Sequence, residues 1–211
     1  MRIQSVFVVA GALAVSVSAS AGVIFTEDAG DLPGTALVVD GGSGPIGAIA
    51  GTTSGPDDGV DMYMIFIDDP ASFMASTEDI NGGSADWDTM LWLFDAEGLG
   101  VLANDDGEYL QSTISFPNEA GDPIPAAGIY FLAISGYDDE PMSDSGYIFG
   151  SLNNSAPNGE GASDPITSWS GFDDEAGSYL IALSGVSFVP TPGAVGLFGV
   201  AGLMAIRRRG A

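Results

Sequence analysis

Met90–Phe94 (MLWLF) and Ile129–Ile134 (IYFLAI) are the two stretches of sequence that decide the fold. Both are short and rich in aromatic or aliphatic residues, and aspartate or glycine lies close to their ends, which is typical of strands rather than helices. Neither stretch alternates between apolar and polar residues. We therefore expect strands that are buried on both faces, or that lie between two sheets and a covering loop.

The rest of the chain between the targeting segments has the same short-strand character. Its glycines and prolines separate short runs rich in β-branched and aromatic residues, and no segment has a convincing helical period. The predicted strands are Val23–Thr26, Thr35–Val39, Ile46–Ala50, Asp61–Ile67, Phe73–Ser76, Thr89–Phe94, Val101–Asn104, Ser112–Phe116, Gly128–Ser135, Gly146–Ser151 and Tyr179–Ser184. Residues 153–163 are predicted to form a long loop. About 165 residues are enough for one core, so the sequence predicts a single all-β domain over residues 22–188, called the body below, with the architecture of a jelly-roll-like antiparallel β-sandwich.

Charge is distributed very unevenly along the chain. All 29 acidic residues lie between Glu27 and Glu175, whereas the four basic residues are Arg2 and Arg207–Arg209. The body therefore has no cationic side chain to pair with its carboxylates, and its surface should repel nucleic acids. Two explanations remain open and are compatible: adaptation to a salty medium, and specific binding of a hard divalent cation.

Missing residue types restrict the chemistry of the body. The chain has no Cys and no His, and the body has no Lys or Arg, which excludes disulfides, thiol and Ser-His-Asp catalysis, ordinary zinc sites and phosphate clamps there. Only paired-carboxylate catalysis remains. Asp144-Ser145-Gly146 matches the aspartic-protease tripeptide, but it occurs once, and Pro141–Ser143 before it does not have the pattern of a buried strand. We expect a turn there and a protein that is not an enzyme.

Four pieces of sequence follow one another in a recognisable order. They are Val60–Ile67, Asp88–Gly98 with Asn104–Asp106, Ala127–Gly136, and Gly177–Leu183. Their order resembles bacterial pre-peptidase C-terminal (PPC) domains, which are jelly-roll-like β-sandwiches appended to secreted enzymes or standing alone on surface proteins. The resemblance implies that fold for most of the body, and the chain departs from the family in an insert between Gly150 and Gly177.

The same pieces have purely structural interpretations. Asp61 and Asp88 begin strands, where an acidic residue often caps a turn. Asp95–Gly98 and Asn104–Gly107 have the composition of turns. Tyr130 and Tyr179 are expected to be core aromatics.

Calcium is the metal that the acidic clusters would suit, because it takes six to eight oxygen ligands. The clusters are Asp86–Asp88, Asn104–Glu108, Asp138–Glu140 and Asp173–Glu175, and none has the spacing of an EF-hand loop. If the strands beginning at Thr89 and ending at Asn104 form a hairpin, Asp88 and the turn after the second strand lie at one end of the sheet. The candidate ligands are Asp88, Asn104, Asp105 and Asp106.

The N-terminus has the three parts of a Sec-type signal peptide. Arg2 is followed by an apolar stretch from Val6 to Val17 and by the small residues Ala19 and Ala21 of a cleavage site. This predicts a signal peptide over residues 1–21 and export of a chain that begins at Gly22.

The C-terminus, residues 189–211, also has three parts. A proline-rich motif is followed by an apolar segment too short for a confident membrane span and by three arginines. This order resembles the PEP-CTERM sorting signal, although Thr191 stands where that family usually has Glu. The resemblance implies recognition by an exosortase-type enzyme and transient membrane anchoring of a cell-surface or extracellular protein. The motif residues are Pro190, Thr191, Pro192, Gly193, Arg207, Arg208 and Arg209.

A carbohydrate-binding module of the extracellular polysaccharide matrix is the alternative function. It requires an exposed aromatic side chain that stacks on sugar rings, for which Trp87, Trp169 and Tyr137 are the candidates. Trp169 has the most polar, loop-like flanks. Its structural alternative, which we favour, is a small hydrophobic cluster beneath the insert.

Overall fold

The computed structural model describes residues 22–26, 28–55, 58–107, 109–118, 120–123, 125–171 and 175–190. The described strands are β1 (Gly22–Phe25), β2 (Leu37–Val38), β3 (Ile46–Thr52), β4 (Val60–Ile67), β5 (Met74–Ser76), β6 (Ser84–Ala85), β7 (Thr89–Asp95), β8 (Gly100–Asn104), β9 (Thr113–Ser115), β10 (Gly128–Gly136), β11 (Pro141–Ser143), β12 (Gly146–Tyr147), β13 (Ser168–Trp169), β14 (Ser178–Ser184) and β15 (Val186–Ser187). Two single-turn 3-10 helices, Pro70–Ser72 and Asp79–Asn81, complete the set. The all-β prediction is confirmed.

The strands form two large sheets and one small one. The first sheet has the order β1-β3-β14-β5-β9, with β6 also paired to β14, and the second has the order β15-β4-β10-β7-β8, with β2 also paired to β4. The small sheet has the order β12-β11-β13. Most pairings are antiparallel, but β1 with β3 and β2 with β4 are parallel, which the sequence did not predict. The jelly-roll connectivity stays a prediction.

An apolar cluster, called the inner core, joins the two large sheets. It contains Ile49 and Ile181 from the first sheet and Leu91, Leu132 and Ile134 from the second. This shared core is consistent with the predicted β-sandwich, in which the inner faces of two sheets pack against each other.

The second sheet is also covered on its other face. Alternate residues of its central strands, such as Trp92 and Phe131, belong to a second cluster, the outer core, together with Ile148, Phe149 and Ile166 from the segment after β11. This explains why β7 and β10 are apolar without alternation. The expectation that these strands are buried on both faces is confirmed.

Each predicted strand overlaps one in the structure, but the predicted strand Gly146–Ser151 is wrong beyond Tyr147. Ile148 and Phe149 leave the small sheet to pack into the outer core. The expectation that Pro141–Ser143 is not a strand is also wrong, because it forms the middle of the small sheet with two buried residues. The turn at Asp144–Ser145 and the loop over residues 153–163 are confirmed.

The two predicted targeting segments fall almost entirely outside the described residues. Residues 1–21, with Ala19 and Ala21, and residues 191–211, with Thr191 and Arg207–Arg209, belong to them. The amide of Val189 donates a hydrogen bond to the carbonyl of Val39 (N···O 2.9 Å), so backbone pairing with the body extends to the first residue of the predicted tail. The helices in the described part of the chain are too short and insufficiently apolar to cross a membrane.

Candidate metal centre

The predicted hairpin places the candidate ligands together. β7 and β8 pair antiparallel with Leu91 opposite Asn104, so Asp88 before β7 and the turn after β8 lie at the same sheet end. Carboxylate oxygens of Asp88, Asp105 and Asp106 lie within 4.8 Å of one another. We call these three residues the Asp88 site. Their spacing means that they could hold a metal ion.

Backbone hydrogen bonds hold the turn that carries Asp105 and Asp106. The Asp105 amide donates to the Leu152 carbonyl (2.8 Å), and the Gly107 amide donates to the Gln111 carbonyl (2.8 Å). The hydroxyl of Ser112 is shared between the carbonyls of Thr89 and Asp105, which ties the turn to the start of β7. The carboxylates therefore project from a loop that is fixed at several points.

Two oxygens of the Asp88 site are inaccessible to solvent and lack a hydrogen-bond partner in the described part of the chain. Among the described residues, Asp88 Oδ1 and Asp105 Oδ1 have no hydrogen-bond partner, although both residues are only partly buried as a whole. A buried carboxylate oxygen without a donor is costly, since its lost hydration is not replaced. The site thus has unused capacity to bind a cation.

Burial and mutual repulsion raise the pKa of both aspartates. Burial raises the pKa of Asp88 to about 6, with further contributions from the negative charges of Asp106 and Glu175. Burial likewise raises the pKa of Asp105 to about 6, and the charges of Asp106 and Asp88 add to it. No cation in the body offsets these charges, because residues 22–190 contain no Lys, Arg or His.

The fourth predicted ligand, Asn104, has a different contact pattern. Its side-chain oxygen accepts a hydrogen bond from the Asn154 amide (2.9 Å), and its side-chain nitrogen donates to the Asp106 carbonyl (3.0 Å). Asn104 is therefore engaged in holding the turn against the long loop, and its oxygen is less free to bind a cation than those of Asp88 and Asp105.

Residues of the other predicted acidic clusters either accept hydrogen bonds within the fold or add to the negative potential around the Asp88 site. Glu175 accepts a hydrogen bond from the Asp88 amide (3.2 Å), while Asp173 and Asp174 lie outside the described residues. Asp138 and Glu140 add to the negative potential that raises the pKa of Asp105. Asp139 is buried and accepts a hydrogen bond from the Gly171 amide (3.0 Å).

A second aspartate group was not predicted as a site. Carboxylate oxygens of Asp28, Asp58 and Asp61, here called the Asp61 cluster, also lie within 4.8 Å of one another, a spacing that could hold a metal ion. Asp61 is fully buried rather than capping an exposed turn. One of its oxygens accepts the Ala29 amide (2.9 Å) and the other accepts the Tyr179 hydroxyl. Because both oxygens already have donors, Asp61 is a structural carboxylate in this structure.

The aromatic candidates for sugar stacking differ in exposure. The prediction of an exposed Trp87 is wrong: its ring is buried edge-on to Tyr179, and its nitrogen donates to the Ser178 carbonyl (3.1 Å). Trp169 is half-buried against the outer core, as the favoured interpretation of a cluster beneath the insert expects, and it also lines a cavity. Tyr137 is 46% exposed. Tyr130 and Tyr179 are core residues, as predicted.

No family model, curated protein or solved structure matches this chain. The resemblances to PPC domains and to the PEP-CTERM signal therefore stay predictions that depend on the quoted residues.

Proposed function

We propose that this is an exported, non-catalytic protein of the cell surface or extracellular matrix whose Asp88 site binds calcium. The observation that carries the proposal is a pair of buried oxygens, one each from Asp88 and Asp105, that have no hydrogen-bond donor among the described residues and lie beside the carboxylate of Asp106. A bound divalent cation replaces the missing hydrogen-bond donors and neutralises the repulsion that raises the two pKa values.

Calcium suits this site better than magnesium or a softer metal. The available ligands are carboxylate and loop carbonyl oxygens, without His or Cys, which favours a hard cation. Calcium accepts irregular sets of six to eight oxygens, whereas magnesium requires a compact octahedron and loses water reluctantly.

An ion that binds only the folded loops stabilises the body by linkage. With a dissociation constant of ~0.1 mM and ~10 mM calcium, the gain is about 2.7 kcal/mol.

A melting series in calcium, magnesium and sodium chloride at matched ionic strength tests the proposal. We expect calcium to raise the melting temperature most, because sodium chloride only screens the carboxylates. Replacing Asp105 and Asp106 by Asn should remove the calcium-specific part. Asp68→Asn with Asp79→Asn is the matched control, because both residues are exposed and the change in charge is the same. Superimposable curves for the three salts would eliminate a coordinated ion.

Export and sorting are proposed from the two terminal segments. Sec machinery would remove residues 1–21 after Ala21, and an exosortase-type enzyme would process the tail that begins at Val189-Pro190, with the membrane holding the protein transiently. Mass spectrometry of the protein from its native cells tests both steps. Surface protein that retains Arg207–Arg209 would contradict processing, although not membrane anchoring.

A further inference from the structure

A cavity of about 500 Å³ lies at the junction of the 28–35 loop and the small sheet, away from the residues of the Asp88 site. Its size is within the range of sites that take a small organic ligand. Its charged lining residues are all aspartates, namely Asp28, Asp31, Asp58 and Asp139, and Trp169 and Leu32 supply apolar surface.

Hydrogen bonds fix the walls of this cavity relative to each other. The indole nitrogen of Trp169 donates to the Asp31 carbonyl (2.7 Å), which joins the small sheet to the 28–35 loop. The Ala29 amide donates to the fully buried Asp61 (2.9 Å), which anchors that loop to β4. On the other side, Asp139 accepts the Gly171 amide (3.0 Å). The walls are therefore preorganised, which lowers the entropy that a ligand loses on binding.

We infer that this cavity binds a sugar that carries a free, protonated amine. The aspartates of the cavity have no Lys, Arg or His in the body to pair with, so they favour a positively charged ligand. An inorganic ion would leave Trp169 and Leu32 unused, whereas an organic cation contacts carboxylates and an aromatic ring together. Thr167 and Ser168, both exposed, also line the cavity and can offer hydroxyls to a sugar, whereas the hydroxyl of Thr35 already bonds to Asp31 and Leu32 within the 28–35 loop. Uronic acids and other anionic sugars are disfavoured by the same charges.

This inference is independent of calcium at the Asp88 site. It gives the carbohydrate alternative a place and a ligand class: of its three aromatic candidates, Trp169 alone lines this cavity, while Trp87 is a core residue. The ligand class follows from the charge of the body, whose 29 acidic residues have no Lys, Arg or His among residues 22–190, so that its field favours cationic sugars over anionic ones.

Isothermal titration with a fully deacetylated glucosamine tetramer tests the inference. The measurement is made at about pH 5.5, because the neighbouring hydroxyls and ring oxygen make a glucosamine amine much less basic than a lysine amine and it is largely protonated only in mild acid. The salt concentration is ~0.15 M, which limits general attraction between opposite charges. The N-acetylated tetramer is the matched ligand without charge, and spermine is the matched cation without sugar rings. We expect the deacetylated tetramer to bind at least about tenfold more tightly than either, because the acetylated tetramer lacks the charge-assisted hydrogen bonds to the aspartates and spermine lacks the ring and hydroxyl contacts.

Two variants distinguish binding by the residues of this cavity from general attraction by the negative charge of the protein. Asp58→Asn, at the cavity, should weaken binding about tenfold. Asp79→Asn makes the same change in charge at an exposed residue that does not line the cavity, and it should change binding less than about twofold. Melting temperatures establish that both variants are folded. Equal weakening by the two variants, equal binding of the acetylated tetramer, or equal binding of spermine would overturn the inference. If the wild-type protein shows no calcium-specific stabilisation but still binds the deacetylated tetramer, the proposed calcium site is contradicted and this inference is not.

Discussion

The Asp88 site and the Asp61 cluster each consist of three aspartates, but the two groups differ in burial and in the hydrogen bonds that their carboxylates accept. In each, three aspartate oxygens lie within 4.8 Å of one another. Asp61 is fully buried and has a donor for each of its oxygens, whereas Asp88 and Asp105 are partly buried and each retains one inaccessible oxygen without a donor among the described residues. Proximity of carboxylates alone therefore does not identify a binding site. Unsatisfied hydrogen-bonding capacity is the better criterion.

The two groups also connect to the fold differently. Asp61 ends a chain of hydrogen bonds within the inner core. The hydroxyls of Thr26, Tyr63 and Tyr179 contact one another in that order, and the Tyr179 hydroxyl donates to Asp61. The Asp88 site lies outside the core, on a turn at the end of β7 and β8. We thus expect changes at Asp61 to affect folding and changes at the Asp88 site to affect ligand binding.

The largest expected effect comes from a residue that supports both groups. Leu132 in β10 lies opposite Tyr63 in β4, the strand that contains Asp61, and opposite Leu93 in β7, the strand that follows Asp88. Leu132→Ala should lower the free energy of unfolding by about 2–5 kcal/mol, because it leaves a cavity in the inner core. Chemical denaturation with and without calcium measures this. A loss within the ~0.5 kcal/mol usual for surface positions would mean that Leu132 is not packed in the inner core.

Acid should distinguish the two groups. Burial raises the pKa of Asp61 to about 6, with smaller increases from the charges of Asp58 and Asp28, against hydrogen bonds from Tyr179 and Ala29 that lower it. The folded protein then binds this proton more tightly than the unfolded chain. Stability from Asp61 is thus complete below about pH 4 and is lost as the pH rises through about 6, a difference of roughly 3 kcal/mol.

Calcium should remove one part of this pH dependence only. Saturating calcium stabilises the ionised forms of Asp88 and Asp105, so their acid stabilisation should disappear, whereas that of Asp61 should persist. Asp61→Asn measured in calcium between about pH 4 and 6.5 should then retain only the pH dependence of the other shifted carboxylates, Asp139 and Glu140, whose pKa values burial also raises. Unfolding measured across this range checks both expectations. A wild-type profile that calcium flattens completely would mean that the Asp61 cluster also binds the ion.

Removing a donor from Asp61 should make it resemble Asp105. Tyr179→Phe deletes the hydroxyl that Asp61 accepts and leaves a buried carboxylate oxygen without its donor. We expect a loss of about 1.5–3 kcal/mol near neutral pH, the usual value for a hydrogen bond to a charged group. The loss should be smaller in acid, where Asp61 is neutral. Denaturation at the two pH values provides the measurement, and an equal loss at both would show that packing, not the charge, is responsible.

The sequence predicted those parts of the molecule that depend on local pattern. Uninterrupted apolar runs identified β7 and β10, because burial on both faces removes the alternation of an ordinary strand. The hairpin between β7 and β8 then followed from the turn at Asp95–Gly98, and it placed Asp88 beside Asp105. Strands of two residues, such as Ser84–Ala85 and Val186–Ser187, are too short to show a hydrophobic pattern. They form because their backbones pair with the neighbouring strands β14 and β4.

The role of Asp61 could not be predicted, since it depends on contacts between distant segments. Tyr179 and Ala29 are far from Asp61 in sequence, and only the packing of the two sheets brings them together. The same holds for the two oxygens at the Asp88 site that find no donor among the residues the structure describes. The sequence shows a density of acids, whereas the course of the loops determines which oxygens find a donor. Asn104 illustrates the point, because its contact with Asn154 comes from the long loop.

The smallest expected effect is the most direct test of the comparison, because its sign changes with calcium. In the presence of a chelator, Asp105→Asn removes a partly buried charge that repels Asp88 and Asp106, and stability should rise by roughly 1 kcal/mol after allowance for solvent screening. With calcium at saturation the same variant should be less stable than wild type, because it has lost a charged ligand.

The Asp61 cluster supplies the control for this last prediction. Asp61→Asn removes a charge from an equally crowded group, yet its effect should have the same sign with and without calcium, because Asp61 already has two hydrogen-bond donors. Thermal unfolding of both variants, in chelator and in calcium, gives the four values required. No sign change at Asp105 would contradict calcium binding at the Asp88 site, and a sign change at Asp61 as well would mean that the Asp61 cluster is the group that binds the ion.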